Sequence, residues 1–264
     1  MQDFIAHLNP FYVLCGVLIG GLTGFTGVGG GALMTPILIL LFGVPSPVAV
    51  GTDLLYAAVT NSSGSVVHAV NRTIKWRIVG LLALGSVPMT GFSIALLYWL
   101  GADSNITHVL VTRVLGFALF VTAILLFARK PLMRWHERHL SFIEPRHVAR
   151  ATVATGAILG LLVTISSTGA GAIGVTALLL LYPNLPPRHV VGSGLAHAVP
   201  LTFLAGIGHS FLGTIDWGIL TSLLCGSLPA IVVASIASAR TSDTAVRVTL
   251  GIVLLVVVVK FWFL

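Results

Sequence analysis

The chain carries one hydrophobic unit twice, and that repetition limits its fold more than any other feature. Gly16-Val17-Leu18-Ile19-Gly20 and Gly27-Val28-Gly29-Gly30-Gly31-Ala32 return 140 residues later as Gly156-Ala157-Ile158-Leu159-Gly160 and Ser167-Thr168-Gly169-Ala170-Gly171-Ala172. At an offset of 141, Gly51, Leu54, Ala57, His68, Thr73, Ile74, Trp76, Leu82, Gly85, Ser86 and Pro88 recur as Gly192, Leu195, Ala198, His209, Thr214, Ile215, Trp217, Leu223, Gly226, Ser227 and Pro229. Two copies of one apolar unit, each opening with a glycine-rich break, form the pattern of membrane proteins built from structural repeats, secondary transporters above all.

The solvent of this fold is lipid. With 56% hydrophobic and only 8% charged residues, the chain cannot cover a water-facing surface, which takes roughly a quarter charged residues. In lipid the backbone must satisfy its own polar groups, through helices or a closed barrel. The apolar runs are long and continuous rather than alternating, so the expected fold is all-α and polytopic. The formal net charge of +7 is no nucleic-acid signal: six of the 14 Lys and Arg residues (Arg129, Lys130, Arg134, Arg138, Arg146 and Arg150) fall in one polar stretch, 129–150. Such a cluster reports topology. Cys15 and Cys225 lie in apolar segments outside any motif, which speaks against a disulfide framework or a metal site. The start, Met1-Gln2-Asp3-Phe4, lacks the positive region of a cleavable signal peptide, so the first segment is expected to stay.

The chain divides into a first membrane repeat (1–128), a basic cytoplasmic linker (129–150) and a second repeat (151–264). Each repeat reads as five segments, at about 11–26, 27–43, 47–70, 78–100 and 106–128, then about 152–167, 168–182, 189–212, 217–239 and 244–263. The first two of each set fall short of the ~20 residues that span a bilayer comfortably, which predicts a hairpin or broken helix. Loop 71–77 carries Arg72, Lys75 and Arg77, whereas its copy at 212–218 carries only Asp216. Under the positive-inside rule, equivalent loops then face opposite sides, so the repeats are expected to be inverted with both termini outside. Four spans per repeat would make the copies parallel and misplace one of those loops.

The breaks are the first candidates for function. Thr26, Gly27, Gly29, Gly30 and Gly31 in one copy and Ser166, Ser167, Thr168, Gly169, Ala170 and Gly171 in the other each precede a helix. Its unpaired N–H groups and positive dipole end would point into the break, and two such ends make an anion site without a buried Lys or Arg. The alternative is that the glycines serve close helix packing. Gly51, Thr52, Gly192 and Ser193 form a second matched pair of candidates. Asp53 lies within an apolar segment, where a carboxylate is costly and marks a coupling site by default; capping a helix start near the interface is the other reading. His197 holds the place equivalent to Tyr56, and His68 and His209 are mates near segment ends beside Trp76 and Trp217. These histidines read either as interfacial hydrogen-bonding groups or as a proton relay. Arg113 and Arg247 also correspond roughly; they either snorkel to headgroups or attract an anion. Asn61, Ser62, Ser63 and Gly64 line a path or pack helices. No nucleophile–base set, HExxH, phosphate loop or Cys/His cluster is visible, so no catalysis, cofactor or metal is expected.

Gly20-Gly21, Gly27-Val28-Gly29-Gly30-Gly31, Pro36-Ile37-Leu38 and Ala49-Val50-Gly51-Thr52 closely resemble the signature of the TauE/SafE sulfite-exporter family, and the resemblance extends over nearly the whole membrane region. It implies a permease for sulfur-containing anions such as sulfite or organosulfonates. The second break lacks the triple glycine, and Asp53 stands where the family more often has a small or hydroxyl residue. The expected activity is alternating-access transport of a small oxyanion across the bacterial inner membrane, with proton coupling through Asp53 and, second to it, the histidines. A passive anion channel and a non-transporting scaffold subunit are the alternatives. The expected partners are the anion and the bilayer, with no nucleic acid; a homodimer is compatible with the sequence.

Overall fold

The computed structural model describes residues 9–26, 31–102, 104–139, 145–237 and 259. Among them every regular element is a helix: α1 (Pro10–Thr26), α2 (Gly31–Phe42), α3 (Ser46–Val70), α4 (Trp76–Leu100), α5 (Asn105–His139), α6 (Pro145–Ser166), α7 (Ala172–Leu181), α8 (Pro187–Phe211) and α9 (Trp217–Ala237). The expected segment at 244–263 lies outside the described residues. Five helices carry windows long and apolar enough to cross a membrane: Trp76–Leu100, Asn105–Ala128, His147–Ser166, Pro187–Phe211 and Trp217–Ala234. The 12-residue α2 and 10-residue α7 are only about 18 and 15 Å long at 1.5 Å per residue. That is roughly half of the ~30 Å hydrocarbon core, too short for either to span it alone.

The basic stretch 129–150 is more helical than a linker reading implies. Apolar character stops at Ala128, but α5 runs on to His139 and α6 already begins at Pro145. Hydropathy marks where the lipid ends; the backbone ladder ends elsewhere.

Packing pairs helices across the repeats. At Gly16 an added Cβ would strike the backbone of Leu223, and at Gly20, one turn on, that of Ser227; at Gly226 it would strike Val13. Helices α1 and α9 therefore run parallel at closest approach, backbone against backbone, as small-residue interfaces allow. The symmetry mates repeat the arrangement: Gly156 meets Leu82, Gly160 meets Ser86 and Gly85 meets Val153, locking α6 parallel to α4. These glycines serve packing.

Helices α3 and α8, themselves equivalent, cross antiparallel. Gly51 near the start of α3 abuts His209 and Thr214 at the end of α8, while Gly192 near the start of α8 abuts His68 and Thr73 at the end of α3. Every such contact has its mirrored partner, as across an isologous two-fold interface. Helix α8 is the most enclosed of the five spans, with 67% of its window buried against 39–44% for the others.

Two apolar cores result, each built from both repeats. One joins Ile19 of α1, Met34 and Leu38 of α2, Tyr56 of α3, Leu115 and Leu119 of α5, and Leu223 of α9. The other joins Leu82 of α4, Leu159 and Val163 of α6, Leu178 of α7, and Leu201 of α8, with Leu54 of α3.

Candidate functional site

The second break is a compact turn of buried polar residues. Helix α6 closes at Ser166, whose hydroxyl donates back to the Leu162 carbonyl (2.7 Å), while the Ser167 N–H reaches Val163 O (2.7 Å). The chain then passes through Ser167 at φ 54° and Gly169 at φ 123°. Left-handed backbone is unusual for serine and stores strain of a kind that gathers at ligand sites; the Gly169 angle is one that only glycine adopts freely. Ser166, Ser167 and Thr168 are buried, and the hydroxyls of Ser167 and Thr168 complete no hydrogen bond. At the far side, Gly174 N–H is taken by Gly169 O (2.9 Å) and Val175 N–H by Gly171 O (3.0 Å). The amides of Ala172 and Ile173 remain as the donors that the start of α7 offers. Ala170 and Gly171 are half-buried, so this end of the turn is reachable.

In the first break α1 ends at Thr26 and α2 begins at Gly31. Gly27, Gly29 and Gly30 lie outside the described residues.

Asp53 connects the two repeats. It is the eighth residue of α3, fully buried, so it does not cap a helix start. Thr35 Oγ1 of α2 donates to Asp53 Oδ2. Oδ1 has no hydrogen-bond partner, and the Ser167 hydroxyl of the second break lies beside the carboxyl group. One turn along α3, Tyr56 is also fully buried, its hydroxyl beside Ser227 of α9, and neither hydroxyl completes a well-formed hydrogen bond. Sequence reading missed Tyr56 and Ser227 as site residues. The signal was available, because they are the mates of His197 and Ser86, which bond directly through Nε2 and Oγ at 2.9 Å.

Gly51, Thr52, Gly192, Ser193, His68 and His209 gather at the α3–α8 crossing. Thr52 Oγ1 accepts from Asp216 N–H (3.0 Å), and its mate Ser193 Oγ accepts from Lys75 N–H (2.9 Å). Gly51 and Gly192 admit the neighbouring chain there. His68 Nδ1 and Thr73 Oγ1 pair at 2.8 Å, as do His209 Nδ1 and Thr214 Oγ1. His209 Nε2–H also donates to the Thr164 carbonyl (2.9 Å). Asn61 is buried with Oδ1 unpartnered, whereas Ser62 and Ser63 bond back to Ala58 O and Thr60 O. Arg113 is exposed on α5; Arg247 lies outside the described residues. Among the described residues no group of three His, Cys, Asp or Glu could hold a metal.

Crossing helices interrupted by paired short ones, with polar side chains sealed among them, define a multi-pass helical membrane protein. The chain belongs to the sulfite exporter TauE/SafE family, whose family model matches residues 12–261. It is 34% identical over 245 residues to the probable membrane transporter protein YjnA of Bacillus subtilis, covering 92% of this chain and 96% of that one. The probable membrane transporter protein YdhB of the same organism is 30% identical over 224 residues (82% and 84%). The probable membrane transporter protein MJ0441 of Methanocaldococcus jannaschii is 23% identical over 249 residues (91% and 86%). No solved structure matches the chain at a significant level.

Proposed function

We propose that this protein is a secondary transporter that moves a small sulfur-containing oxyanion, such as sulfite or an organosulfonate, across the bacterial inner membrane by alternating access. Family membership and relatives named as probable membrane transporters support transport. The observation that carries the site is the second break: two buried hydroxyls without partners, Ser167 and Thr168, precede the amide-rich start of α7. Buried donors left unpaired are costly, and an anion would satisfy them together with the helix end. The antiparallel crossing of the equivalent helices α3 and α8 supports an inverted arrangement of the repeats, and the basic loop 71–77 against its acidic copy supports both termini lying outside. Asp53, buried with one free oxygen at the junction of both repeats, is the residue that would take the coupling proton.

Flux of sulfite into proteoliposomes holding the purified protein tests the reading. Accumulation when an inward proton gradient is imposed is the expected result. Equilibration without accumulation would make the protein a channel, and no flux of sulfite or any sulfonate would overturn transport of this class.

A further inference from the structure

We propose that Asp53 makes the site select oxyanions that carry an exchangeable proton, because carboxyl group and anion share one proton across a single hydrogen bond. This rests on the reading that the second break holds the substrate. The donors around it are hydroxyls (Ser167, Thr168) and the first amides of α7, and none is a cation. Beside the Ser167 hydroxyl lies an acceptor, the Asp53 carboxyl group, whose Oδ1 completes no well-formed hydrogen bond. Thr35 Oγ1 donates to Oδ2, and Oδ1 remains without such a bond although the Ser167 hydroxyl and the Thr35 backbone N–H lie close to the carboxyl group.

A carboxylate beside an anion is repulsive unless a proton lies between them. A hydrogen-anion, such as hydrogensulfite, supplies that proton: its O–H donates to Oδ1 while its other oxygens accept from the hydroxyls and amides. No bond breaks. The same complex forms when a protonated Asp53 meets the fully ionised anion, so substrate proton and coupling proton are one. A sulfonate brings no proton and binds only when Asp53 holds one. The other groups around Asp53 do not compete for this role. Thr35 of α2 donates to the other oxygen, Tyr56 shares its helix beside Ser227 of α9, and Cys15 of α1 belongs to the same core as Tyr56. On the other side, His197 is bonded to Ser86, and His209 to Thr164 and Thr214. No cationic side chain among the described residues acts on Asp53.

The mate of Asp53 is Gly194, where an added Cβ would touch Val175 and Leu178 instead of a hydroxyl. The acceptor therefore exists once.

The test is calorimetric binding to the full-length protein in nanodiscs, with sulfite, sulfate and methanesulfonate, at mildly acidic and mildly alkaline pH. Wild type is expected to bind sulfite at both, more weakly when alkaline, and methanesulfonate only when acidic. In Asp53→Asn the amide is a permanent donor, so methanesulfonate affinity at alkaline pH should rise about tenfold, a change of about 1.4 kcal/mol, and its pH dependence should vanish. If Asp53→Asn keeps the wild-type ligand order and pH profile, the inference is wrong. Thr35→Val, which keeps the side-chain shape and deletes the donor to Oδ2, should move the pH midpoint; Ser167→Ala, which removes the second hydroxyl beside the carboxyl group, should weaken all anions and move it in the same direction. An unmoved midpoint in Thr35→Val would also overturn the inference. Wild type that binds no anion would overturn the substrate reading itself, a result distinct from selective binding that ignores Asp53.

Discussion

Positions 53 and 194 occupy the same place in the two copies and face different surroundings. Asp53 meets the Thr35 hydroxyl and the strained serine of the opposite break, while Gly194 lies against Val175. A few residues away the copies agree closely: Thr52 and Ser193 each accept one amide from the other repeat's loop, and His68 and His209 each pair with a threonine at 2.8 Å. The symmetric contacts hold the fold together, and the asymmetric ones are where the proposed site lies. A duplicated scaffold can keep its reciprocal packing while one copy of a polar position is lost and the other retained.

The largest effect should come from breaking the shared scaffold. Gly85→Ala and Gly226→Ala each drive a Cβ into backbone that cannot yield, and each should cost about 3 kcal/mol or more, the upper range for overpacking. Unfolding in SDS titrations checks this, and near-equal losses are the signature of the symmetry. Gly21→Ala and Gly91→Ala, where a Cβ meets nothing within 4 Å, should instead gain about 0.5 kcal/mol from helix propensity.

Next comes the asymmetric pair. Gly194→Asp places a carboxyl group against Val175 with no hydroxyl to receive it and should cost about 2 kcal/mol as an unpaired buried polar group. Equal tolerance of a carboxyl at both positions would erase the contrast. His209→Leu, which strands the Thr164 carbonyl in a fully buried place and leaves the Thr214 hydroxyl only the backbone carbonyl of residue 209, should cost about 2 kcal/mol. His68→Leu, in a half-exposed setting, should cost about half of that. The smallest effects belong to Thr52→Val and Ser193→Ala, each about 1 kcal/mol for one lost hydrogen bond and each leaving anion affinity unchanged.

Much of this was visible in the linear chain. Apart from the end of α5 and the start of α6, the expected boundaries fall within a few residues of the helices among the described residues, because hydropathy is a local property that each residue carries into the bilayer. The linker was harder: α5 continues past Ala128 as a charged helix, since water tolerates a helical backbone as readily as lipid demands one. Gly51, Thr52, Gly192 and Ser193 were read as substrate candidates because they form a second matched pair near the start of the third segments. Their places at the α3–α8 crossing follow from long-range packing that spacing does not encode. Tyr56 passed as an ordinary aromatic because its polar neighbour Ser227 is 171 positions away.

By itself the sequence determined that the chain is helical, lives in lipid and is doubled, with a glycine-rich interruption opening each copy. The physical reason is that backbone satisfaction in lipid and the need for about 20 apolar residues per span act on each segment separately. Only the tertiary structure decided which helices meet. A row of small residues declares a face that another helix can approach closely, but it does not say which one. The fold brings α9 to α1 and α6 to α4, and that exchange between copies sets the Ser167 hydroxyl beside Asp53.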